Sequence, residues 1–244
     1  MTTSDIAEIT LKVGGVAQRL GDLFEIESQP GDQHLKIQNA DSNFRYVGAE
    51  MNGGRIVVEG DVGDYLGYGL IQGDIMVNGN AGNFAASGQR NGLIHVKGSV
   101  GDYAGGAADS EMQGLKGGTL MITGNSGDFL GYKMRRGIIV AHDNVGDYCA
   151  NNMIAGTIIL GNRCGGFLGL GMRRGTVIFL DKVKLELPTF NLSGSFSLPF
   201  LTILRHHLHS INHHVAMRLA KIRKVKRFCG DLGYDGQGEV LVAD

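Results

Sequence analysis

The sequence predicts an all-β chain: a right-handed parallel β-helix of 19-residue coils, with an N-terminal cap and a C-terminal helix plus short strands. Three observations carry that expectation. A unit of the form Gly-x-Ile-x-Val opens at Gly54, Gly73, Gly92, Gly118, Gly137, Gly156 and Gly175, at intervals of 19, 19, 26, 19, 19 and 19 residues. Two places after each glycine come Ile56, Ile75, Ile94, Leu120, Ile139, Ile158 and Val177, and four places after it Val58, Val77, Val96, Ile122, Ala141, Leu160 and Phe179. Glycine supplies 40 of 244 residues, over twice its usual share. A fixed period near 20 residues, rich in β-branched residues and glycine turns, marks coils that stack.

Each part of the coil has a physical reason. Residues two apart face the same side of a strand, so the two aliphatic columns share one face. Gly63, Gly82, Gly101, Gly127, Gly146 and Gly165 mark a turn, and Tyr65, Phe84, Tyr103, Phe129, Tyr148 and Phe167 form an aromatic column. Three places before each opening glycine stand Met51, Leu70, Gln89, Leu115, Met134, Met153 and Met172. One coil cannot bury its own apolar side, but stacked coils cover one another at roughly 4.8 Å spacing. Upstream, Asp41, Tyr46 and Gly48 fall in register, so the repeat starts near Leu35. Seven coils to Arg174 and a partial eighth make a prism about 34 Å long. The long interval holds a seven-residue insertion around Gly105 to Gly117. Right-handedness is the expectation for parallel crossovers.

The flanks divide the chain into a cap (1–34), the β-helix (35–186) and an extension (187–244). In the cap, Ile9, Leu11 and Val13 alternate as a strand does, Gly21 and Asp22 suggest a turn, and Phe24 and Ile26 a further short strand. Terminal coils of a solenoid need such covering, because a bare end exposes core and strand edges. Leu187-Pro188-Thr189 ends the ladder. From Ser197, Leu201, Leu204, Leu208, Ile211, Val215, Leu219 and Ile222 recur at helical spacing, with Ser197 as N-cap and Pro199 in the first turn. Gly236-Gln237-Gly238 reads as a turn before a terminal strand, Glu239 to Val242. Val57, Met76, His95, Met121, Val140, Ile159 and Ile178, three places after each opening glycine, should point outward. So long an apolar outer column needs a cover, either the C-terminal helix or another protein.

Composition excludes several classes. There is no apolar run of 18 residues, so no membrane-spanning helix is expected, and no apolar leader follows Asp5 and Glu8. Cys149, Cys164 and Cys229 are odd in number and widely spaced, as in a cytoplasmic chain with free thiols. Formal net charge is −1, with the stretch between Glu186 and Asp231 free of acids and rich in Arg, Lys and His. Neither nucleic acid nor membrane is expected as a partner.

Candidate chemistry is sparse. His209 and His213 stand four apart, a metal-ligand spacing on a helix, but no H-E-x-x-H pattern or nearby acid accompanies them, so no metal is expected. Asp64, Asp102, Asp128 and Asp147 fall in one column with Asn83; at one per coil they suit caps of backbone N–H groups rather than a calcium ladder. The glycines from Gly60 recur in every coil and precede strands, which rules out a phosphate loop. The doublets Arg135-Arg136 and Arg173-Arg174 stand 38 residues, two coils, apart. That puts Arg135 and Arg173 on one flank about 10 Å apart. With Lys133 they form a basic patch suited to a polyanionic chain or an acidic partner surface. No Ser/His/Asp grouping or paired-carboxylate site emerges, so no catalytic residue is expected.

The unit Gly-x-Ile-x-Val-x-Gly-x-x-Gly-Asp-Tyr-x-Gly resembles the "GXGXG" β-helix family, which includes the C-terminal domain of glutamate synthase and the C-subunit of formylmethanofuran dehydrogenase. From Gly21 to Val242 the chain looks most like that C-subunit branch. The points of resemblance are the insertion at Gly105 to Gly118, Met-Arg-Arg-Gly at 134–137 and 172–175, Leu-Pro-Thr-Phe at 187–190, Gly230-Asp231-Leu232, and Gly236 to Glu239. The resemblance implies a structural subunit without its own active site in a bacterial formyltransferase/hydrolase complex. That complex moves formyl from tetrahydromethanopterin to methylofuran and releases formate. Implied partners are an amidohydrolase-like hydrolase subunit, a formyltransferase subunit and a small dehydrogenase-like subunit. No cofactor is implied on this chain, but a methylofuran-type coenzyme with a glutamyl tail is implied in the complex, and Lys133, Arg135, Arg136, Arg173 and Arg174 could hold that tail. Two alternatives stand beside this reading: the C-subunit of a molybdenum or tungsten formylmethanofuran dehydrogenase, and a glutamate-synthase-like domain acting alone.

Overall fold

The computed structural model describes residues 3–27, 34–234 and 236–244. Residues 28–33, inside the expected cap, lie outside them. Two compact units result, Met1–His34 and Leu35–Asp244.

In the first unit, helix α1 (Thr3–Ala7) precedes strands β1 (Thr10–Val13) and β2 (Val16–Arg19), an antiparallel hairpin turning at Gly14-Gly15. Both glycines have positive φ (58° and 84°), as a tight hairpin requires. The strand expected at Ile9 to Val13 is thus β1. The turn expected at Gly21-Asp22 is instead a one-turn helix, α2 (Leu20–Leu23), and Phe24 to Ile26 form no strand.

The second unit is a parallel β-solenoid. Its strands are β3 (His34–Ala40), β4 (Asn52–Gly60), β5 (Gln72–Val77), β6 (Leu93–Val96), β7 (Thr119–Ile122), β8 (Ile138–Ala141), β9 (Thr157–Leu160) and β10 (Arg174–Phe179). They lie side by side in chain order, and the register from β4 to β10 is like on like. Ile56 pairs with Ile75, Ile75 with Ile94, Ile94 with Leu120, Leu120 with Ile139, Ile139 with Ile158 and Ile158 with Val177. These and the Val58 column are buried inside the coils, joined by Leu70, Leu115, Met134, Met153 and Met172. Gln89 replaces an apolar residue in that last column. Fully buried, it donates from Nε2 to the carbonyls of Gly92 (3.0 Å) and Asn91 (3.2 Å), where the long coil begins.

Two kinds of glycine hold the corners. The opening glycines take positive φ, from 75° at Gly118 to 116° at Gly73, which only glycine adopts cheaply. The turn glycines do not. A Cβ on Gly82 would instead collide with the carboxylate of Asp64 in the preceding coil; Gly127, Gly146 and Gly165 repeat that relation with Asp102, Asp128 and Asp147, and Gly101 meets the Asn83 amide oxygen in the same way. Those side chains do the capping expected of them: Asp64 accepts from Asn83 N (2.9 Å), Asn83 from Asp102 N, Asp102 from Asp128 N and Asp128 from Asp147 N (each 2.8 Å).

The aromatic column stacks as expected, but on the outer surface rather than in the core. Tyr46, Tyr65, Phe84, Tyr103, Phe129, Tyr148 and Phe167 form one pile with centroids 4.7–5.1 Å apart, and none is buried. All seven hold left-handed backbone, φ 58–63°. That costs about 1 kcal/mol or more per residue, and ring stacking offsets part of it.

The chain after β10 differs from the expected single long helix. Strand β11 (Asn191–Phe196) leads to α3 (Pro199–His209) and α4 (His213–Lys221), then β12 (Val225–Gly230) and β13 (Gln237–Ala243). The helix breaks at Ser210–Asn212, because Asn212 caps α4 by accepting from Val215 N (3.0 Å). Pro199 begins α3 as expected, but Ser197 is not its cap. The Ser197 hydroxyl donates to the Arg223 carbonyl (2.6 Å). Leu201, Leu204, Leu208, Val215, Ala216 and Leu219 bury against Met121, Val140, Ile159 and Ile178, so α3 and α4 cover the later half of the outer column.

β13 is more than a tail strand. It pairs parallel with β10, Gly238 on Gly175, Val240 on Val177 and Val242 on Phe179. Gly-Glu-Val-Leu-Val is therefore one more Gly-x-Ile-x-Val rung, delivered after 62 residues of excursion between Gly175 and Gly238. β12 and β11 then continue the sheet antiparallel. Asp231 secures this return. Its buried carboxylate accepts from Gly171 N (2.9 Å) and Gly233 N (3.0 Å). Burial pushes its carboxyl upward, but hydrogen bonds from Gly171, Gly233 and Thr189 outweigh that and hold it below the usual aspartate range.

Candidate functional site

The corner preceding each strand gathers the basic residues. The main chain stacks through Ile71 N to Met51 O, Arg90 N to Leu70 O, Lys116 N to Gln89 O, Arg135 N to Leu115 O, Ile154 N to Met134 O and Arg173 N to Met153 O, all 2.7–2.9 Å. Arg90, Lys116, Arg135, Ile154 and Arg173 therefore rise in one column at about 4.8 Å per step. Arg135 and Arg173 share a flank, as their spacing predicts. Arg90 and Lys116 extend the column, and sequence reading missed them because the 26-residue coil breaks the 38-residue spacing. Reading two places before every opening glycine finds both.

The remaining predicted residues go elsewhere. Arg174 lies one place nearer the strand and donates from Nε to Gln237 Oε1 (3.1 Å), so it is partly engaged with β13. Arg136, in the equivalent place, lines a cleft of about 500 Å³ together with Arg90, Asp74, Ile138, His207 and Ile211. Lys133 leaves the row: its ammonium sits 4.9 Å from the centroid of the Tyr132 ring. Lys116 pairs with Glu111 of the insertion (3.4 Å). Arg90, Arg135, Arg136 and Arg173 are exposed, with no side-chain acceptor among the described residues. A row of unpaired guanidiniums at regular spacing attracts carboxylates or phosphates and does no bond-making chemistry itself.

The histidines form no metal centre among the described residues. His209 and His213 meet edge to face, centroids 4.9 Å apart. His142 faces α4 instead. Asn212 accepts from Val215 through Oδ1, so its Nδ2 is the group donating to His142 Nε2 (3.0 Å), which must then be unprotonated. Burial first, and His214 and Arg218 next, depress the His142 pKa, in agreement. All three cysteines are free, and a hydrogen bond that the Cys149 thiol donates to Cys164, together with burial, pushes the Cys149 thiol well up.

Stacked coils around a closed core define a β-solenoid. No family model matches the chain. A chain of the X-ray crystal structure of the formyltransferase/hydrolase complex (FhcABCD) from Methylorubrum extorquens in complex with methylofuran superposes with a TM-score of 0.92. It is 38% identical, over 100% of this chain and 90% of that one. The C-subunit of molybdenum-containing formylmethanofuran dehydrogenase 1 from Methanothermobacter thermautotrophicus, and its counterpart from Methanothermobacter marburgensis, are each 36% identical over 64 residues. That match spans 26% of this chain and only 16% of each curated relative. The chain belongs to the formylmethanofuran dehydrogenase C-subunit family.

Proposed function

We propose that this chain is a non-catalytic structural subunit of a cytoplasmic formyltransferase/hydrolase complex. The complex transfers formyl from tetrahydromethanopterin to methylofuran and releases formate. Here the solenoid scaffolds the hydrolase-like and transferase subunits alongside a small dehydrogenase-like one. The observation that carries this reading is the full-length likeness to a chain of such a complex, whose structure holds methylofuran. The basic column supports a finer proposal: Arg135 and Arg173, with Arg136 and Arg174 beside them, hold the polyglutamyl tail of a methylofuran-type coenzyme. A polyglutamyl tail carries a carboxylate on every residue, so arginines roughly 10 Å apart can each meet one within a few residues of extended tail.

Reversing both Arg135 and Arg173 to glutamate should weaken coenzyme binding to the complex about tenfold at low ionic strength, and the difference should shrink as salt is added. Unchanged affinity at low salt would remove the tail site. Turnover by the isolated chain would remove the scaffold reading. A second reading, the C-subunit of a molybdenum or tungsten formylmethanofuran dehydrogenase, is favoured by the curated relatives. Metal analysis of the native complex separates the two.

A further inference from the structure

The cleft beside α3 shares Arg90 with the basic column, but Arg136 and the helix give it a character of its own. Three coils form its floor, where Gly92, Gly117, Gly118 and Gly137 leave the corner without side chains. Arg90 and Arg136 both line it, and their main chains lie two coils, about 10 Å, apart. Only Asp74 brings a negative charge to the lining, and neither arginine pairs with it or with any other acid among the described residues. Leu93, Ile138 and Ile211 supply apolar wall, and His207 overhangs from the end of α3.

The helix continues the same character. Phe200, Ile203 and His207 are three and four apart, so they share the side of α3 that carries His207 to the cleft. α3 already buries Leu201, Leu204 and Leu208 beneath it. Phe200 (39% exposed) and especially Ile203 (70%) therefore form a second apolar stripe with nothing on it. An apolar stripe running into a cleft with two unpaired guanidiniums is a mixed surface. It loses by facing water and gains by meeting an apolar side chain flanked by carboxylates.

We propose that this groove, from Phe200 and Ile203 to Arg90 and Arg136, seats an acidic segment of another subunit. That segment places one apolar side chain on Ile203 and two carboxylates, roughly two to four residues apart when extended, against Arg90 and Arg136. The inference rests on the reading of the chain as part of a complex; it takes Arg136 out of the tail site, which then rests on Arg135 and Arg173, and gives it to a protein partner.

The test uses the native complex, isolated through an affinity tag on this chain with a photoreactive benzoylphenylalanine in place of Ile203. Irradiation should give an adduct with a different subunit, mapping by mass spectrometry to a peptide with at least two Asp or Glu residues. In the Arg90→Glu/Arg136→Glu background the adduct yield should fall about tenfold at low salt. Both arginines are exposed, so the thermal midpoint of the isolated variant chain should match wild type. An intact complex that gives no adduct at Ile203, an adduct with the coenzyme, an adduct with a peptide lacking acids, or a yield indifferent to the arginine reversals each overturns the groove and leaves the complex reading standing. A tagged wild-type chain that comes out without any other subunit overturns both.

Discussion

The outer face of the sheet carries one apolar column in two conditions. In its later half, Met121, Val140, Ile159 and Ile178 are at most 2% exposed under α3 and α4. In its earlier half, Val57, Met76 and His95 occupy the same column in the same register and stay partly open. The repeat is identical, so the difference lies in reach. Eleven residues of α3 span about 16 Å, or roughly three strand spacings, too few to lie over every rung of the column. An outward apolar position is thus a request for a partner. The chain meets the request only where its own returning segment is long enough.

Truncation sets the two halves against each other. Ile159→Ala should cost about 3 kcal/mol, since it opens a cavity under the helices. Met76→Ala, in the same column but earlier in the stack, should cost under about 1 kcal/mol. Guanidinium denaturation followed by circular dichroism reads both, and equal losses would mean that α3 and α4 do not distinguish the halves. A smaller effect is expected at the clamp that ends the covered half. Asn212→Ala removes the α4 cap and the bond to His142 together, for a loss of about 1 kcal/mol, and the loss should be halved when His142 is already Gln.

The smallest effect is a pH dependence confined to the same clamp. His142 has a depressed pKa in the folded chain, so just below about pH 6.5 the unfolded chain binds the proton more readily. The stabilisation from neutral His142 is present above that value and is lost as pH falls through the folded pKa. The groups facing the ring are His214, Arg218, His95 and Asp143, of which only Asp143 opposes the shift. Between pH 7.5 and 5.5 the denaturation midpoint of wild type should therefore fall further than that of His142→Gln. Parallel pH profiles would remove the clamp as the cause.

Much of the scaffold was legible because each coil repeats a local pattern. Ile56, Ile75 and Ile94 announce their stacking by spacing alone, and the Asp64 to Asp147 column announces its caps. The aromatic column was legible as a stack but not as a surface, since a ring at Tyr65 or Phe129 suits a core as well as a left-handed corner. Of the candidate site, the pair Arg135 and Arg173 was readable from their interval. Arg90 and Lys116 were hidden by the insertion, and the departure of Lys133 toward Tyr132 had no signal in spacing.

By itself the sequence determined the period, the strand register and the contents of the core, because these depend on residues two and four places from a recurring glycine. Only the tertiary structure decided that Gly238 to Val242 return as a further rung, that the helix breaks at Asn212, and that Arg136 faces α3 while Arg135 does not. Those outcomes depend on contacts between segments tens of residues apart. There the burial of one apolar edge by whatever chain can reach it outweighs any local preference.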